Sequence, residues 1–228
     1  MKNEGIPEDN IFLVGDVMVD SLLFNLENAN KSDILEQLGL TQKTSTGHCP
    51  LLTAYCLLTL HRPSNVDNKE AFLKIITALT EISKRIPIIF AVHPRTRKQI
   101  EAFKFQHYFV NLTNNESPIT NNRVHLVDPL GYLDFLNLMI HSKFVMTDSG
   151  GIQEETTVLG IPCLTLRDTT ERPITISQGT NVLVWNDTQK IIDEAFKIID
   201  SQGKKGNCPE MWDGKAAERI VDILATNF

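Results

Sequence analysis

Long apolar runs are missing from this sequence. No stretch approaches the roughly 18 residues that a membrane-spanning helix requires, and the polar start MKNEGIPEDN has no signal-peptide core. Basic clusters are missing too. The 22 Lys and Arg are outnumbered by 28 Asp and Glu, giving a formal charge of −6, and none of the basic residues forms a run. That argues against a nucleic-acid backbone as partner and against a membrane surface, while leaving room for one small anion at a local site. Cysteine is scarce. Cys49, Cys56, Cys163 and Cys208 make no CxxC pair and no zinc-ligand spacing with histidine. They read as reduced thiols used as small apolar side chains, which fits a cytoplasmic protein with no metal. Internal repeats and low-complexity tracts are also absent.

What remains has ordinary globular proportions. The 228 residues are 42% hydrophobic and 22% charged, enough for one large domain or two small ones. Short apolar runs recur: IFLVG (11–15), YCLLTL (55–60), IPIIFAV (86–92), VHLVDPL (124–130), FVMTD (144–148), PCLTL (162–166) and NVLVW (181–185). Continuous apolarity over strand length predicts strands buried on both faces. Helical 3-4 spacing appears over Asn68–Arg85, Tyr132–His141, Ile152–Leu159, Thr188–Asp200 and Gly214–Ala225. Asn28–Thr46 reads as a polar connector with a short helical piece at Asp33–Leu38, and Asn111–Asn122 as a polar surface loop. The alternation predicts an α/β fold: a mainly parallel sheet with helices on both faces.

In such sheets ligands bind beyond the carboxyl ends of the strands. Four strand exits here are polar. FVMTD runs into Ser149-Gly150-Gly151, where a helix starts. Glycines allow close approach, and a helix N-terminus supplies unpaired N–H groups, so the segment can cradle a phosphate. The carboxylates that follow, Glu154 and Glu155, can reach a ribose diol. A plain helix capped by Asp148 or Ser149 explains the same residues. YCLLTL ends in His61-Arg62-Pro63-Ser64-Asn65, suited to a phosphate or a proton transfer, or to a helix capped by Ser64 or Asn65. IIFAV ends in His93-Pro94-Arg95 with Arg97, a pattern that more often serves structure. PCLTL ends in Arg167-Asp168-Thr169-Thr170-Glu171-Arg172-Pro173. Tyr132 and Phe135 open a helix after Gly131 and either wall a flat base or pack the core.

In combination, LLTLHRPSN, FAVHPRTR, the glycine-led YLDF, TDSGGIQEE, LGIPCLTLRDTTERP and DGKAAERI resemble the non-hydrolysing UDP-N-acetylglucosamine 2-epimerases, in order, from about Glu4 to Leu224. The resemblance implies the C-terminal half of a GT-B-like pair of Rossmann-like domains. Residues 1–46 would then form the inter-domain junction and connector, 47–212 the UDP-binding domain, and 213–228 a helix crossing back to an N-terminal domain or pairing with another copy in a homodimer. It implies that Ser149, Gly150 and Gly151 hold the β-phosphate, Glu155 the ribose, Phe135 and the Tyr132 backbone the uracil, and Arg172 the phosphates or sugar. His61 matches the histidine implicated in turnover. The implied reaction eliminates UDP from UDP-GlcNAc to a 2-acetamidoglucal and re-adds it after protonation on the other face of C2, giving UDP-ManNAc, with no cofactor. The acids proposed for that proton transfer belong to the other domain, so the chain alone is expected to bind UDP weakly and not to epimerise.

Arg62 and His93 match an activator site of some members. The Glu common there is Ser64 here, and Ile174 follows Pro173 where many members have Glu. A glycosyltransferase of the same fold class, a hydrolysing 2-epimerase and a non-enzymatic nucleotide-sugar sensor are the competing readings.

Overall fold

The computed structural model describes residues 5–41, 53–112, 119–120 and 122–227. Cys49, the end of the 28–46 connector and most of the 111–122 loop, including Pro118, lie outside the described residues.

The sheet has seven strands, all paired in parallel. They are β1 (Cys56–Thr59), β2 (Ile88–Ala91), β3 (Phe109–Asn111), β4 (Val124–Val127), β5 (Phe144–Thr147), β6 (Cys163–Thr165) and β7 (Asn181–Leu183), in spatial order β3-β4-β2-β1-β5-β6-β7. From β1 the chain winds outward to β2 and β4, then returns to the other flank of β1 as β5. The crevice between β1 and β5 is therefore the topological switch point, where open α/β sheets bind ligands.

Side chains alternate across the pleat. Cys56 and Leu58, with Phe90, Phe144 and Met146, face one core. Helices α4 (Lys69–Ser83) and α9 (Thr188–Ile199) cover it through Phe72, Ile75, Leu79, Ile191 and Ala195. Leu57, Ile89 and Val145 face the other core, under α1 (Val17–Ala29), α2 (Ile34–Gln37) and α6 (Tyr132–His141). The fold is thus the expected parallel sheet with helices on both faces. Asn68 caps α4 by accepting from Glu70 N and Ala71 N. Asp187 caps α9 through Lys190 N. These side chains satisfy orphan amides and so set where each helix begins.

Two expectations need correction, the strand at residues 11–15 and the burial of Cys208. IFLVG is not a strand: it is irregular, with Phe12 and Leu13 exposed. Apolarity alone cannot distinguish a buried strand from a surface segment with an unfilled face. The seventh strand is instead β3, three residues at a sheet edge, half-exposed and too short to read. The junction over 1–46 also contains α1, a 13-residue helix capped by Asp16 and anchored by Val19, Leu22 and Ala29. Helix α10 (Ala216–Asn227) starts on α1, where the Asp20 carboxylate accepts from Ala216 N and Ala217 N. Cys56 and Cys163 are buried free thiols whose ionisation burial suppresses, but Cys208 is exposed, against expectation. Among the described residues no helix is long and apolar enough to cross a membrane.

Candidate functional site

The exits of β1, β5 and β6 converge at the switch point. Asp148, the first residue after β5, is fully buried. It turns away from the helix that follows and toward the exit of β1. Its carboxylate accepts from Arg62 N at 2.8 Å, from His61 N at 3.1 Å and from Asn65 Nδ2 at 3.1 Å. His61 Nδ1 lies 3.0 Å from Asp148 Oδ1. Burial pushes the Asp148 carboxyl up, but these hydrogen bonds, with His61 foremost, hold it below the ordinary aspartate value. An ionised Asp148 fixes the ring proton of His61 on Nδ1 and leaves Nε2 as the other functional nitrogen. Asn65 also donates to Leu166 O at 2.8 Å, tying the exit of β6 to the same knot. Asn65 is therefore a buried linker, not a cap, and neither it nor Ser64 caps α3 (Pro63–Val66), whose cap residue is Arg62.

With Asp148 committed to β1, helix α7 (Gly150–Val158) begins with no side-chain cap. The capped-helix alternative for this segment does not hold. The N-cap residue Ser149 uses its backbone instead, donating from N to Thr147 Oγ1 and accepting at O from Gln153 Nε2. A Cβ placed on Gly150 would meet nothing within 4 Å, and one on Gly151 would touch only Met18 Cε at 3.5 Å. Open space lies beyond a helix N-terminus with free donors, which is the geometry of an anion cradle.

Glu155 sits one turn into α7, buried, and accepts from Tyr132 Oη at 3.0 Å. Burial raises the Glu155 carboxyl, and the tyrosine bond opposes that. The contact brings together two of the predicted residues, from α6 and α7. Phe135 is partly buried and packs on the second core, with its backbone in the first turn of α6.

Arg172 occupies the N-cap position of α8 (Pro173–Ser177) without a side-chain cap and pairs through Nε with Glu154 Oε1. Its own backbone N donates to Thr170 Oγ1, and Thr170 in turn donates to Gln153 Oε1 at 2.6 Å. Gln153, fully buried, thus joins the glycine turn to the Arg167–Arg172 loop. Sequence reasoning passed over Gln153, Glu154 and Asp148 as linkers. The only signal was their position in the same heptad of residues as the glycines. Burial raises Glu154 first, and the nearby Asp16 carboxyl adds to it, lifting it to about 7 against the pull of Arg172.

The exit of β2 differs. His93 Nδ1 accepts from Arg95 N at 3.1 Å and so caps α5 (Pro94–Ala102). Arg95 pairs with Asp67, and Arg97 Nη2 lies 2.6 Å from Asp128. The His93 ring is 5.7 Å from that of His61, close enough to border the site. Among the described residues no group of acidic, histidine or cysteine side chains is arranged to hold a metal ion.

A family model described as UDP-N-acetylglucosamine 2-epimerase matches residues 1–225. A UDP-N-acetylglucosamine 2-epimerase of Methanocaldococcus jannaschii is 39% identical over 97% of this chain and 56% of its own length. A UDP-2,3-diacetamido-2,3-dideoxy-D-glucuronate 2-epimerase of Pseudomonas aeruginosa is 33% identical over 99% of this chain and 56% of its own. The crystal structure of the M. jannaschii UDP-GlcNAc 2-epimerase in complex with UDP-GlcNAc and UDP superposes with a TM-score of 0.79 at 38% identity, covering 99% of this chain and 57% of that one. The chain thus spans a little over half the length of these relatives.

Proposed function

The chain belongs to the UDP-N-acetylglucosamine 2-epimerase family, and from that membership we propose that it is the UDP-binding part of an enzyme interconverting UDP-GlcNAc and UDP-ManNAc. The observation that carries this is the uncapped start of α7 at Ser149-Gly150-Gly151, open above Gly150 and flanked by Glu155 and Arg172. The amides take the β-phosphate, the Glu155 carboxylate takes the ribose hydroxyls and the first turn of α6 takes the uracil. Arg172 adds positive charge beside the diphosphate. His61, held by Asp148, presents Nε2 to the reacting sugar.

The chemistry follows from the charge. Breaking the C1–O bond adds one negative charge to the β-phosphate of UDP while the proton on C2 departs. Donors already aimed at that diphosphate lower the barrier without reorganising. Re-addition of UDP, with a proton delivered to the opposite face of C2, inverts that carbon. The groups that move the C2 proton belong to the rest of the relatives' length. We place that half against the exposed apolar side chains Leu13, Met18, Phe24, Val221 and Leu224, with α10 crossing toward it. A second copy on the same surface is the alternative arrangement.

The relatives' names leave two sugars open, since one acts on a 2,3-diacetamido uronate. Ile174, where many members have Glu, is at the sugar end of this reading. Calorimetric titration of the chain with UDP, followed by a product assay with UDP-GlcNAc, tests the proposal. Weak UDP binding without turnover is expected. No binding, or epimerisation by the chain alone, would overturn it.

A further inference from the structure

The buried carboxyl of Glu154 has no part in that reading, yet it sits where Arg172 is held. Glu154 is only 4% exposed. Its Oε1 takes the Arg172 guanidinium, while its Oε2 is buried with no hydrogen-bond donor facing it. The Asp16 carboxyl caps α1 by accepting from Met18 N at 2.8 Å, and α1 packs on α7 there, with Met18 Cε 3.5 Å from the Cβ position of Gly151, so that the Asp16 charge acts on Glu154. Among the described residues, Asp16 and Arg172 are the charged groups acting on Glu154. Its neighbours on α7 are engaged elsewhere, Gln153 with Ser149 and Thr170, and Glu155 with Tyr132.

Two carboxylates against one half-exposed guanidinium leave an uncompensated charge beside the buried Glu154, and an acceptor without a donor. One proton between the two acids removes both faults. We propose that Glu154 and Asp16 share a proton and act as positioning residues for Arg172. With the proton in place, Glu154 is a neutral acceptor and the guanidinium is free to turn to a diphosphate. Without it, ionised Glu154 grips Arg172 in an ion pair. Burial and the Asp16 charge together put the loss of this proton close to neutrality, where it is retained below about pH 7 and lost above. On the UDP reading above, the ligand's charge favours the protonated form, so affinity falls as pH rises through neutrality.

The test is a pH titration of the full chain by NMR, following the Glu154 side-chain Cδ and the Arg172 Nε without ligand. Both are expected to move with one shared midpoint near neutrality. Glu154→Gln, whose amide can donate to Asp16 and accept from Arg172, should abolish the Arg172 movement. Asp16→Asn, which still caps α1 and can donate to Glu154, should lower the Glu154 midpoint by more than one unit. A wild-type Glu154 midpoint in the ordinary carboxylate range, or an Arg172 movement unchanged in Glu154→Gln, overturns the proposal. Calorimetry with UDP in two buffers of different ionisation enthalpy then separates the two readings. Proton uptake on binding at pH 8 in wild type, absent in Glu154→Gln, supports both. Both titrations without any UDP binding would sink the UDP reading and leave the shared proton standing. UDP binding with an ordinary Glu154 midpoint would do the reverse.

Discussion

Two exits on one sheet edge carry the same residue types and use them in opposite ways. At β2, His93, Arg95 and Arg97 are spent on their own surroundings: a helix cap and two ion pairs. At β1 and β5, the buried Asp148 gathers its donors from the neighbouring exit and leaves its own helix uncapped. The first arrangement ends an element. The second withholds donors from the protein at the switch point, and unused donors beside open space are what a ligand requires. The lesson is that a polar strand exit becomes a site only when its caps are missing.

Removing the knot should give the largest effect. Asp148→Ala strands His61 N, Arg62 N and Asn65 Nδ2 without their acceptor, at a cost of about 3 kcal/mol, measurable by urea unfolding. Asp148→Asn sharpens the point through pH. The folded-state value of Asp148 lies below the ordinary one. Its contribution is therefore complete above the unfolded-state value and disappears as pH falls through the folded one. The acid limb of the wild-type stability profile should flatten in Asp148→Asn. An unchanged limb would mean that the knot is not held by charge.

Gly150→Ala breaks the comparison from the ligand side. The added Cβ points into open space, so stability should hold or rise by about 0.5–1 kcal/mol. UDP affinity should fall at least tenfold, because the methyl occupies the cradle. Affinity within twofold of wild type would move the phosphate elsewhere. Tyr132→Phe should do less. It removes the one bond that lowers the Glu155 carboxyl, and calorimetry should show UDP affinity reduced about two- to fivefold, the share of a single hydrogen bond.

How much of this was legible in sequence divides along the same line. Six of the seven strands announced themselves because β1, β2, β4, β5, β6 and β7 lie in apolar runs bounded by turns. β3 did not, since an edge strand of three half-exposed residues carries no buried pattern. Residues 11–15 gave a false strand because Phe12 and Leu13 face outward from the described fold. The glycine turn could be located, but whether it was capped could not. That depended on which way Asp148 turned, a contact with residues 83 to 87 positions away. For the same reason Gln153 and Glu154 looked like an ordinary first helical turn, although they are the joints between two loops.

The smallest expected effect lies at β2 and is the control for the whole contrast. Arg95 is bidentate on Asp67, whose carboxyl it holds below the ordinary range, and Gln99 adds a bond to the same oxygen. The pair is at the surface, where solvent screens most of its energy. Arg95→Ala should leave UDP affinity within twofold and thermal unfolding nearly unchanged, despite deleting a guanidinium two residues from the His93 that borders His61. A tenfold loss of UDP binding would show that long-range positive potential, rather than open amides at α7, holds the diphosphate. The distinction between the two exits would then rest on charge alone, and raising the salt concentration would weaken UDP binding in wild type as strongly as the substitution does.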